Sequence, residues 1–134
     1  MEKITLKPIE RTYKNNGQHA EQVARFTLTG EIAKADNKAH DLASDCLNYQ
    51  IKSARATVCK GTDLKAYLDT DASTAYIYVT ANFENAYIMS RAEYEEFISE
   101  FGTVTRESTK NGGATKIRLG HETNKMLAWF AERE

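Results

Sequence analysis

The chain is short of the residues that would simplify its reading. It has one proline, Pro8, and that residue makes a central sheet position improbable for the first fourteen residues. It has two cysteines, Cys46 and Cys59, too few and too far apart for a zinc knuckle or a redox pair. Reduced thiols in a cytoplasmic compartment are expected. His19, His40 and His121 show no ligand spacing, which argues against zinc. No apolar run approaches a membrane span and no signal-like start is visible, so no membrane partner is expected. Internal repeats and low-complexity tracts are absent as well.

Large charge of either sign is also missing. The net charge is -1, which excludes a strongly basic nucleic-acid coat protein. The charges are nevertheless segregated. Residues 84–100 set Glu84, Glu93, Glu95, Glu96 and Glu100 against Arg91 alone, whereas residues 103–118 set Arg106, Lys110, Lys116 and Arg118 against Glu107 alone. A local positive patch is therefore compatible with a near-neutral protein. The 134 residues suit one domain with one sizeable core.

What is present is a regular alternation of elements. Residues 1–14 read as an edge strand or arm, closed by Asn15-Asn16-Gly17. Residues 18–29 read as a helix, with Ala20, Val23, Ala24, Thr27 and Leu28 on one face and Gly30 as its stop. Glu21 lies beside that stripe, either a flanking surface carboxylate or an acid turned toward the sheet. Residues 32–37 suggest a short strand ending at Asp36, and Lys38 to Ser44 a loop. The central stretch, 45–58, reads as one long bent strand. In it Leu47, Tyr49 and Ile51 alternate with Cys46, Asn48, Gln50 and Lys52, placing Gln50 and Lys52 on one face.

Lys60-Gly61-Thr62-Asp63 is expected to turn into a helix with Leu64, Tyr67 and Leu68 at helical spacing. Residues 75–80 and 85–89 read as a hairpin, and Ser90-Arg91-Ala92-Glu93 as a capping box opening a helix to about Phe101. Residues 103–120 read as a basic hairpin arm with Asn111-Gly112-Gly113 at its tip. The last helix, about 122–132, would bury Met126, Leu127 and Phe130, with Trp129 near the seam. The fold class expected is α/β, a mixed central sheet flanked by helices.

A carboxylate on a neighbouring strand, followed by an acid or amide two residues before a lysine, is a pattern that suits phosphodiester cleavage. Carboxylate and carbonyl oxygens can hold Mg²⁺ with open positions, and a lysine can stabilise developing charge. An acid or amide two residues before lysine occurs three times: Asp36-Asn37-Lys38, Gln50-Ile51-Lys52 and Asp63-Leu64-Lys65. Only the second lies in a convincing strand.

With Gly17 to Arg25 on the first helix, then Asp36, then Gln50-Ile51-Lys52-Ser53, the chain resembles the PD-(D/E)xK nuclease superfamily. That superfamily includes restriction endonucleases, Holliday-junction resolvases and phage exonucleases. The resemblance covers roughly the first three quarters of the chain. It implies one nuclease domain over 1–134 with a restriction-endonuclease-like core, acting as a Mg²⁺- or Mn²⁺-dependent DNA endonuclease. By the same resemblance Asp36 and Gln50 would hold the metal, helped by the backbone carbonyl of Ile51. Lys52 would sit at the attacking water and the scissile phosphate, and Glu21 would be an outer acid. Asp36 is preferred as the strand acid. Asp45 is the alternative if a bulge flips the register, and Asp41 the third choice. The family usually has Glu where this chain has Gln50, an oxygen donor without charge. Arg55, Lys60, Arg106, Lys110, Lys116 and Arg118 are the expected DNA contacts, and a homodimer would bring two sites to a duplex. The alternatives are an inactive member that binds DNA or a partner protein, and a small structural domain unrelated to DNA.

Overall fold

Helix and strand boundaries fall where short-range chemistry puts them. A computed structural model describes residues 1–31, 42–44, 47–109 and 112–134. Among these residues are eight strands and four helices: β1 (Glu2–Thr5), α1 (Asn16–Thr29), β2 (Leu42–Ser44), β3 (Leu47–Lys52), β4 (Thr57–Lys60), α2 (Leu64–Thr70), β5 (Ala75–Val79), β6 (Asn85–Met89), α3 (Arg91–Phe101), β7 (Gly102–Thr109), β8 (Gly112–Leu119) and α4 (Asn124–Ala131). The Asn15 side chain accepts the Gln18 amide to start α1. Gly30, left-handed at φ 76°, ends it. The capping box forms as the sequence indicates: the Glu93 amide donates to Ser90 Oγ at 3.2 Å, and the Ser90 amide to Glu93 Oε1 at 3.0 Å.

The class is mixed α/β, built on two sheets. The larger sheet has the order β1-β6-β5-β3-β2, with β3 and β5 parallel and the other pairs antiparallel. β1 is its edge strand, in keeping with Pro8 just beyond it. The smaller sheet is β4-β8-β7. Alternation along the central strands divides the interior in two. Ile77 and Val79 of β5 join Tyr49 and Ile51 of β3 and Ala20, Val23 and Ala24 of α1 on one face. Tyr76, Tyr78, Tyr87 and Met89 meet α2, α3, α4 and the smaller sheet on the other.

Three expectations are corrected. Leu42–Ser44 is not loop but β2, antiparallel to β3. The strand expected over 45–58 breaks after Lys52. The Ala56 amide donates to the Ser53 carbonyl at 3.2 Å, Arg55 takes a left-handed φ of 66°, and β4 then pairs with β8 in the other sheet. No glycine, proline or asparagine marks that turn, so the local pattern reads straight through it. In α4 it is Trp129, with Met126 and Phe130, that is buried, while Leu127 is half-buried. The expected strand ending at Asp36 and the hairpin tip at Lys110 and Asn111 lie outside the described residues.

A polar cavity beside β3

Among the described residues, β2 pairs with β3 only as far as Tyr49. From Gln50 to Lys52, β3 is paired on its β5 side. Tyr49 and Ile51 pack with α1, so Gln50 and Lys52 leave the opposite face, toward α2. Around the strand edge a cavity of about 380 Å³ is nevertheless lined from both sides: Asn15, Gly17, Gln18 and Glu21 of the α1 end, Gln50, Ile51, Lys52, Ser53 and Ala56 along β3 and its exit turn, and Tyr67 of α2.

Four of the residues singled out in the sequence are thereby brought together: Glu21, Gln50, Ile51 and Lys52. Glu21 is nearly buried and pairs with Arg25 one turn later, at 3.5 Å. Lys52 Nζ donates to the Thr57 carbonyl at 3.3 Å, which ties the amine to the start of β4. Asp36, Asp41 and Asp45, the candidate strand acids, lie outside the described residues.

The donors that are described agree in kind with Mg²⁺ or Mn²⁺. A carboxylate, an amide oxygen and a backbone carbonyl are hard oxygen ligands, and Lys52 supplies a cation where a phosphate would lie. One carboxylate is a small charge for such a site, and among the described residues no three His, Cys, Asp or Glu side chains come together. The second carboxylate is the part that Asp36, Asp45 or Asp41 was expected to supply.

Of the expected DNA contacts, Arg55 and Arg118 line an adjoining cavity. Lys60 and Lys116 are register partners across β4 and β8, and neither is among its lining residues. Arg106 lies across Gly113, where any side chain would collide with its guanidinium. Lys110 lies outside the described residues.

Three roles differ from the sequence reading. Tyr67, read only as part of the α2 apolar spacing, is 39% exposed and lines the β3-edge cavity. Helical spacing groups it with Leu64 and Leu68, so its polar hydroxyl was the only available hint. Asn15, read as part of a turn, is both helix cap and cavity wall. Its type and place before an amphipathic run could have identified the cap. Glu122, expected to open the last helix, instead accepts from the Tyr78 hydroxyl at 2.7 Å and the Ala81 amide at 2.9 Å. Burial and the Glu122 carboxylate beside it raise the Tyr78 phenol far above its ordinary range, so it stays protonated and donating. Cys59 is a free thiol, and burial pushes it up toward the unreactive form.

The fold and cavity thus define an α/β protein with a polar site at a strand edge. No family model matches the chain, and neither a curated protein nor a solved structure matches it. No helix among the described residues is long and apolar enough to cross a membrane.

Proposed function

We propose that the protein is a metal-dependent DNA endonuclease with a restriction-endonuclease-like core, and that the β3-edge cavity is its active site. The observation that supports this most is convergence. Glu21, from the first helix, shares one cavity with Gln50 and Lys52, from a strand far along the chain. In this reading Lys52 neutralises charge building on the scissile phosphate. Glu21 orients water, and Gln50 and the Ile51 carbonyl offer oxygens to Mg²⁺ or Mn²⁺. The bound ion would supply Lewis acidity and a more acidic water. Arg55 and Arg118 would hold the phosphate backbone beside the site, with Lys60, Lys116, Arg106 and Lys110 as further contacts. A second copy of the chain would be needed to cut both strands of a duplex together. A cytoplasmic setting goes with the free, buried Cys59 thiol.

The test is nicking of supercoiled plasmid with Mg²⁺ or Mn²⁺, with EDTA, and with Lys52→Ala. Metal-dependent nicking that Lys52→Ala abolishes is expected. Nicking that continues unchanged in that variant overturns the assignment.

One observation favours a second reading, an inactive nuclease-like protein that binds DNA or a partner protein. Gln50 is uncharged and Glu21 is paired with Arg25, which leaves the described cavity little negative charge for a cation. Calorimetry with Mn²⁺ separates the two. No metal uptake and no nicking, with DNA binding retained, selects the second.

A further inference from the structure

The β3-edge cavity does not stop at Lys52. A second cavity of about 270 Å³ shares the walls Asn15, Gly17, Ser53 and Ala56 with it, so the two form one continuous trench. Its two ends differ in chemistry. Lining the first cavity and not the second is Tyr67, an aromatic side chain that is 39% exposed. Lining the second and not the first are Arg55 and Arg118, and among the described residues no acid lines that half.

The arginine end is held in place by the turn that separates the two sheets. Arg118 Nε donates to the Arg55 carbonyl at 2.8 Å, and the Arg55 amide donates to the Gly120 carbonyl at 2.9 Å. Among the described residues neither guanidinium pairs with a carboxylate. The start of α1 opens on the same cavity and has no acid in its first turn, which adds to the positive potential without being needed for the argument.

We propose that this trench binds a single unpaired nucleic-acid strand, with one base stacked on Tyr67 and a phosphate held by Arg55 and Arg118. The reasoning rests on the two ends together. Arginines alone would serve a duplex equally well, because its phosphates lie on the outside. An aromatic ring inside a trench reaches the face of a base only when that base has left its stack. Lys52 lines the same trench, so the inference rests on the nuclease reading and extends it by naming the form of its substrate. The phosphate at the arginines is either an internal phosphodiester or a terminal 5′-phosphate, since both present the same oxygens.

The experiment is fluorescence anisotropy in EDTA, where no metal-dependent cleavage interferes. The probes are a labelled oligothymidylate, with and without a 5′-phosphate, and a hairpin duplex of equal length. The single strand is expected to bind about 10-fold or more tighter than the duplex. Tyr67→Ala should weaken it by about 10-fold, with Tyr67→Phe close to the parent, as base stacking requires. Arg55→Asn keeps a residue type that tolerates the left-handed backbone, and it should lower the salt dependence by about 0.7 in the log–log slope. Tighter binding of the 5′-phosphorylated probe assigns the arginines to a strand end. Equal binding assigns them to an internal phosphate.

Duplex binding as tight as single-strand binding, or affinity indifferent to Tyr67→Ala, overturns the inference. So does a Tyr67→Phe variant as weak as Tyr67→Ala. The nuclease reading fails separately. Lys52-dependent cutting of duplex that ignores Tyr67 would leave the enzyme and remove the single-strand trench. Tyr67-dependent single-strand binding without any cutting would do the reverse.

Discussion

On one face of the larger sheet, Phe97 meets the rings of Tyr78, Phe101, Trp129 and Phe130 at centroid distances of 5.0 to 5.6 Å. Tyr76 stacks flat on Tyr94 at 4.2 Å, and Tyr87 on Phe130 at 4.1 Å. At the edge of β3, in the same sheet, the described lining is instead mostly polar, with Glu21, Gln50 and Lys52 beside Asn15, Gln18 and Ser53. The aromatic face buries large apolar side chains in mutual contact, where dispersion and the hydrophobic effect add together. The polar edge gathers groups whose burial costs free energy, and that cost is tolerated where the groups serve a ligand. The two regions therefore separate stability from function, and substitutions should show it.

The largest effect is expected on the aromatic face. Phe97→Ala removes a fully buried ring and should destabilise the fold by about 3–5 kcal/mol, read from urea denaturation. A loss below about 1 kcal/mol would mean that the aromatic cluster is not the stabilising half.

The opposite pattern is expected at the edge. Lys52→Ala should abolish nicking yet change stability by no more than about 0.5 kcal/mol, because the Thr57 carbonyl it releases is exposed and water can take its place. A large drop in melting temperature would make Lys52 a structural residue and dissolve the contrast.

A smaller loss, about 1 kcal/mol, is expected for Ser90→Ala, which opens the capping box of the helix that carries Phe97. It should lower stability without altering metal or DNA binding. Impaired binding at full stability would contradict it.

The smallest effect concerns pH. His19 is buried edge-on to Phe83 at 4.6 Å, and burial first, then the nearby Arg11 charge, hold its pKa below the ordinary 6.5. The unfolded chain therefore takes up this proton more readily than the folded one. His19 favours the fold above about pH 6.5, and that contribution fades as the pH falls through 6.5 toward the lower folded value. Thermal melts on acidification should show this decline, and His19→Phe should flatten it. An unchanged acid limb in that variant would assign the decline to other groups.

Much of the scaffold was legible in the residues. The Gly30 stop, the Ser90–Glu93 box and the Ala75–Val79 and Asn85–Met89 hairpin all follow from patterns a few residues long. The failures among the strands share one cause, pairing with distant chain. β2 exists because β3 accepts it, and the 45–58 stretch divides because β4 finds β8. Arg55 turns left-handed with its amide bound to Gly120, a partner that nothing near Arg55 announces. Of the candidate site, Gln50 and Lys52 on one strand face could be read directly, whereas their meeting with Glu21 could only be expected from a family resemblance.

By itself the sequence determined where helices and hairpins begin and end and which side of each is apolar, because caps, turns and periodicity act over a single turn or strand. Only the tertiary structure decided that β3 would stop at Lys52, that β4 would leave for the second sheet, and that Tyr67, Glu21 and two arginines would line adjoining cavities. Those outcomes depend on which strands and helices come to lie side by side, a competition among long-range contacts that local residue preferences do not encode.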